Sequence, residues 1–169
     1  MSPLLLRCCL PRLLGLLLLL GVLVARTVVA QSPCPPPLVN VLLSQHEVLE
    51  AGAAFTPHMT VFVRPAPACG TNQRYLFREA EVTLLRGRRP VSATRLVHTA
   101  EVDLTDFIPF ARPGDRIYVF VRYENLYLVG PAGKRRLYAN PALPAPSGIA
   151  AQLLTDEAQG IGFTWFLTK

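Results

Sequence analysis

The chain is poor in the residues that usually carry catalysis or redox chemistry. Its 169 residues include three histidines, four cysteines, two methionines and a single tryptophan. No C-x-x-C, H-x-H, H-E-x-x-H or G-x-S-x-G pattern occurs, which removes the common signatures of a redox dithiol, a zinc hydrolase and an α/β-hydrolase nucleophile. A glycine-rich phosphate loop is missing too. Neither lysine-rich tracts nor a regular interleaving of basic and aromatic residues is present, so nucleic acid is not expected as a partner. An unbroken apolar run of membrane-spanning length is also lacking. Residues 13–24 are apolar, but Arg26 interrupts before the roughly 20 residues that a spanning helix needs.

That run fits a secretory signal instead. Arg7 and Arg12 form the basic leading region, residues 13–24 the apolar centre, and Val28 and Ala30 the small-residue positions of an A-x-A-type cleavage site. Cleavage of the signal peptide (residues 1–30) is expected after Ala30. It leaves residues 31–169 as one exported domain, in the periplasm or at the cell surface, with no stable membrane span. An uncleaved signal anchor is the competing reading. A lipoprotein is excluded, because Gln31-Ser32-Pro33 before Cys34 is not a lipobox. Loss of Arg7, Arg12 and Arg26 lowers the formal charge from +6 to about +3, which permits contact with an acidic surface without demanding it.

Cys8 and Cys9 leave with the signal, and the two remaining thiols, Cys34 and Cys69, are expected to pair in an oxidising compartment. Such a bridge closes a loop of about 35 residues and is worth roughly 3–4 kcal/mol in the chain-entropy account. It would tie Pro33, Pro35, Pro36 and Pro37 to the loop holding Pro65, Pro67 and Gly70.

Prolines and glycines cut the rest of the chain into short strands. Residues 38–43 are a compact apolar run. In residues 58–64, Met59, Val61 and Val63 alternate onto one face. Residues 75–85, the turn Arg86-Gly87-Arg88-Arg89, and residues 90–97 read as a hairpin, with Gly87 at the positive-φ position and Pro90 suited to an edge. Residues 103–110 change period: a single helical turn or looped crossover is expected, capped by Asp103 and stopped by Pro109. Arg112-Pro113-Gly114-Asp115 is a turn. It feeds residues 116–123, whose Ile117, Val119 and Val121 oppose Tyr118, Phe120 and Arg122. Large apolar residues on both faces mark a central strand. A turn at 130–133 leads into 134–138, residues 140–148 read as loop, 149–158 suit a short helix, and 161–167 form a terminal strand. The pattern predicts an all-β fold, an immunoglobulin-like β-sandwich with one short helical turn.

Candidate chemistry is sparse. His46, His58 and His98 lie in separate segments, and Ser44 beside His46 lacks a nucleophile elbow. Asp103 and Asp106 are three apart but lack further ligands, and Asp115 is explained by its own turn. No catalytic residue, cofactor or metal is expected. Two basic clusters remain, Arg86 with Arg88 and Arg89, and Lys134 with Arg135 and Arg136. Solvated turn charge that discourages edge pairing accounts for both. The functional reading makes them partner-binding residues for an acidic protein or an anionic surface polymer, especially if the two turns share one end of the fold.

The order of residues 80–91 (A-E-V-T-L-L-R-G-R-R-P-V), Phe107-Ile108-Pro109, residues 111–119 (A-R-P-G-D-R-I-Y-V) and residues 130–137 (G-P-A-G-K-R-R-L) resembles the C-terminal domain of the GldM family. That family serves gliding motility and type IX secretion in the periplasm of Bacteroidetes. It carries a V-T-L-x-R-x-G hairpin, a P-G-D-R-I-Y turn and a G-P-D-G-x-x-R-x-L turn. The resemblance covers residues 80–137 and implies a β-sandwich used for protein–protein contact in the cell envelope. GldM proteins are much longer and carry a membrane helix, so motor coupling is not implied. Ala132 stands where the family has Asp, residues 124–129 look inserted, and residues from Tyr138 onward extend past the match. The resulting expectation is an exported, non-enzymatic protein-binding module associated with that envelope machinery. The alternatives are a ligand-binding or enzymatic domain on an immunoglobulin-like scaffold, and a generic adhesin or envelope structural module.

Overall fold

The computed structural model describes residues 34–69, 73–130, 132–139 and 159–169. The expected signal peptide, the 140–148 loop and the 149–158 helix lie outside these residues. In chain order the strands are β1 (Leu38–Leu43), β2 (His46–Glu47), β3 (Ala53–Ala54), β4 (His58–Arg64), β5 (Arg74–Phe77), β6 (Ala80–Arg86) and β7 (Arg89–Pro90). They continue with β8 (Arg95–Val97), β9 (Glu101–Asp103), β10 (Arg116–Arg122), β11 (Leu126–Val129), β12 (Arg135–Leu137) and β13 (Gly160–Thr168). The fold is all-β. Short 3₁₀ turns lie between strands, one of them Thr105–Phe107, where the helical turn was expected.

Among the described residues three sheets result: β2-β1-β4-β9, β3-β13-β10-β6-β7 with β8 also on β6, and β12-β11-β5. Alternation explains which faces meet. In β4, Met59, Val61 and Val63 are buried while the residues between them are not. They and Val41 of β1 pack with Leu84 of β6, Val119 of β10 and Trp165 of β13 in one cluster. The first two sheets are therefore layered face to face over a shared core, a sandwich-like arrangement. Full burial of each such side chain contributes about 1.5–3 kcal/mol. β10 is central, flanked by β6 and β13, as its two apolar faces predict.

The expected single strand at 75–85 is divided. β5 pairs with β11 and β6 with β10, because the backbone bends at Arg78 and Glu79. The buried Asn125 sets the bend: its carbonyl accepts from the Arg78 amide at 2.8 Å, and its Oδ1 accepts from Arg78 Nη2 at 2.7 Å. The β6–β10 ladder thus runs on into the β5–β11 ladder as one bent ribbon. Residues 124–129, which looked inserted, supply β11, the middle strand of the third sheet. The returning strand at 90–97 is also interrupted, giving β7 and β8 on either side of residues 91–94. Gly87 has φ +65° at the hairpin tip, as its place in the turn requires.

Cys34 and Cys69 form the expected disulfide, with Cα atoms 5.2 Å apart. It lies just beyond the Leu38↔Arg64 end of the β1–β4 ladder.

Candidate protein-docking face

Arg86 is part of the fold's own framework. Its Nε donates to Asp115 Oδ1 at 2.8 Å, and its Nη2 to Asp115 Oδ2 at 2.9 Å and the Phe110 carbonyl at 3.0 Å. The Arg112 amide adds a bond to Oδ2 at 3.0 Å. The Arg86 hydrogen bond, helped by that amide, holds the Asp115 carboxyl below its ordinary range, against the opposing effect of burial. Of the first basic cluster, Arg88 and Arg89 remain exposed at the tip. Arg116 Nη2 bonds the Gly87 carbonyl there.

The second cluster sits on the β11–β12 hairpin. Its turn closes through Gly130 N–H to the Lys134 carbonyl at 2.9 Å. Pairing then sorts the cations by face. Val129 lies opposite both Arg74 and Arg135, so those two arginines share one face, separated by a single strand. Leu128 lies opposite Tyr75 and Arg136, which puts Arg136 on the other face beside Tyr75. Lys134 is exposed in the turn.

On the Arg74–Arg135 face the next row is Leu76, Tyr127 and Leu137. Arg78 and His98 continue it, and Leu76, Phe77, Arg78, His98, Tyr127 and Arg135 line a shallow basin of about 580 Å³. β5, β11 and β12 contain no aspartate or glutamate. The opposite face rests on Tyr75, Tyr123 and Tyr138, with ring centroids 5.9 Å and 5.4 Å from Tyr138. Burial, reinforced by its two neighbours, pushes the Tyr138 hydroxyl up to about 12. A rigid aromatic layer therefore backs a cationic, partly apolar surface.

The two basic clusters are not brought together. Arg86, Arg88 and Arg89 close one end of the bent ribbon, and Lys134, Arg135 and Arg136 close the other. β6 alone accounts for about 23 Å of that separation. Sequence reasoning missed Arg74, Arg78 and Tyr127. The signal available was the absence of any acidic residue from 125 to 155, but only the register joins Arg74 to that stretch.

The remaining candidates have local partners. Asp103 Oδ1 accepts from the Thr105 amide at 2.9 Å and hydroxyl at 2.5 Å, fixing the helical turn and lowering the Asp103 carboxyl. Asp106 pairs with Arg95 at 2.6 Å. Ser44 and Gln45 form the β1–β2 tip with φ of 48° and 71°. His58 and His98 stand 3.8 Å from Asp103 and Glu79 respectively. Among the described residues no three His, Cys, Asp or Glu side chains gather as metal ligands, and no helix is long and apolar enough to cross a membrane. No protein-family model, curated protein or solved structure matches the chain.

Proposed function

We propose that this chain is an exported, non-enzymatic β-sandwich module that docks an acidic segment of a partner protein on the outer face of the β12-β11-β5 sheet. One observation carries the reading: an acid-free sheet presents Arg74 and Arg135 about 10 Å apart across β11, beside the Leu76, Tyr127 and Leu137 row. Arginine forks bind carboxylates bidentately, and arginine and tyrosine are the side chains that dominate binding energy in protein interfaces. The signal-like leader and the Cys34–Cys69 bridge support an oxidising compartment. The motifs shared with the GldM C-terminal domain fall in the β6–β7 hairpin, the turn into β10 and the β11–β12 hairpin. They support an envelope partner from the gliding and type IX secretion machinery.

The test is affinity capture from envelope extract by the purified chain and by two double variants, followed by titration of the captured protein at increasing salt. Arg74→Glu with Arg135→Glu is expected to abolish capture, and Arg88→Ser with Arg89→Ser to leave it intact. Binding is expected to weaken as salt rises, as contact with an acidic surface requires. The reverse ranking of the two variants would move the site to the β6–β7 turn. Capture indifferent to both would sink the acidic-partner reading.

A further inference from the structure

The edge of β13 is built differently from the edges of β12, β7, β9 and β2. β12 carries Arg135 and Arg136, β7 has Arg89 and Pro90, β9 has Glu101 and Asp103, and β2 has Glu47. Charges and prolines of this kind protect an edge from pairing. β13 over residues 160–165 reads G-I-G-F-T-W, with neither charge nor proline.

Part of its backbone is paired by no described strand on the side away from β10. Leu167 N–H donates to the Asp115 carbonyl at 2.8 Å, and the Leu167 carbonyl accepts from Gly114 at 2.8 Å, so Leu167 faces β10. In an antiparallel ladder this alternates. Trp165, Phe163 and Ile161 therefore bond β10, while Thr164 and Gly162 direct N–H and C=O away from β10. β3 covers that side only at Leu167 and Thr168, with Gly52 seated against the Phe166 carbonyl. Among the described residues no strand pairs the stretch before it.

A groove of about 490 Å³ runs along this stretch, walled by Pro35, Pro36 and Pro37 on one side and by the rings of Tyr118 and Phe120 on the other. Among the described residues that line it none is charged, and the adjacent Arg122 is held by Glu81 at 2.8 Å. A charged occupant would lose water there without gaining a counter-ion. Prolines offer no N–H, so the backbone bonds must come from β13.

We infer that β13 over residues 160–164 is a strand-addition site for an uncharged, extended segment of a partner polypeptide, about five residues long. The length follows from strand rise and from β3, which takes the edge beyond it. The site is separate from the basic sheet face and selects for opposite chemistry.

A library of displayed nonapeptides panned on the purified chain tests this. Uncharged sequences rich in β-branched residues are expected to be enriched. The best synthetic peptide should slow hydrogen exchange at the Gly162 and Thr164 amides, which exchange faster than those of Phe163 and Trp165 in the free chain. Thr164→Pro, which deletes an outward N–H and leaves the β10 ladder its donors, should weaken that peptide at least tenfold. Arg135→Ser should not affect it. Enrichment of acidic sequences, no enrichment, or equal protection of all four amides in the free chain would overturn the inference, as would displacement of a β13-paired dimer instead of simple binding. The exchange measurement uses the unmodified chain, so it stands even if the proline variant fails to fold.

Discussion

Asp115 stands at the mouth of β10 with almost no solvent exposure, at 3%, and its partner Arg86 lies 29 residues earlier. The turn chemistry of Asp115 was readable in Arg112-Pro113-Gly114-Asp115. The Arg86 pairing was not, since it needs the β6–β10 register that sets Arg116 opposite Leu85. A cation that looked available for docking is thereby committed to the fold. Asp115→Asn is expected to cost about 2 kcal/mol, because a neutral amide cannot accept the guanidinium fork and the Arg112 amide equally well. The folded carboxyl titrates below the unfolded value of about 3.9. Its contribution is therefore complete above that value and disappears as pH falls through the folded one. Urea unfolding between pH 6 and pH 3 should show the variant losing less stability on acidification than the native chain. Parallel losses in both would remove Asp115 from the acid response.

At the scale of elements, strands with clean alternation and nearby turn residues were legible: β1, β4, β10 and β13 fall where sequence reading put them. The division of 75–85 and the existence of β11 were not. Both depend on Arg78 meeting Asn125 across 47 residues, and a local pattern holds no record of such a pair. β13 shows a finer point. A Cβ added at Gly160 would come within 2.4 Å of the Val121 carbonyl oxygen, and one at Gly162 within 2.6 Å of the Tyr118 ring. Backbone at the centre of a sheet has nowhere to go, whereas the atoms met at Gly162 are the far end of a side chain. Gly160→Ala is accordingly expected to cost about 2–3 kcal/mol and Gly162→Ala about 1 kcal/mol. Thermal unfolding of the two variants decides this. Equal costs, or the opposite order, would mean that β13 shifts along β10 to absorb the added atom.

For the whole molecule, composition and turn spacing disclosed an all-β chain with a terminal strand, and the two lone thiols disclosed their pairing. Whether the basic turns met at one end was not legible, because it depends on a ribbon that bends between two sheets. The disulfide acts at this largest scale. It joins the proline-rich segment before β1 to the 3₁₀ turn Pro67–Cys69 after β4, closing a loop with a sequence separation of 35. In the folded state the β1–β4 ladder already holds those two segments close, so the bridge has little left to restrain there. Its effect falls on the unfolded chain, which loses the freedom to separate them. Replacing both cysteines by serine is then expected to lower stability by about 3 kcal/mol, and the midpoint of thermal unfolding by on the order of 10 °C. Folding rates supply the discriminating readout. If the ladder forms before the transition state, the double variant folds more slowly at a nearly unchanged unfolding rate, since the lost constraint belongs to the unfolded chain. A faster unfolding rate with unchanged folding would place the bridge's work in the native state instead. That result would make the Pro35–Pro37 wall of the β13 groove dependent on the disulfide.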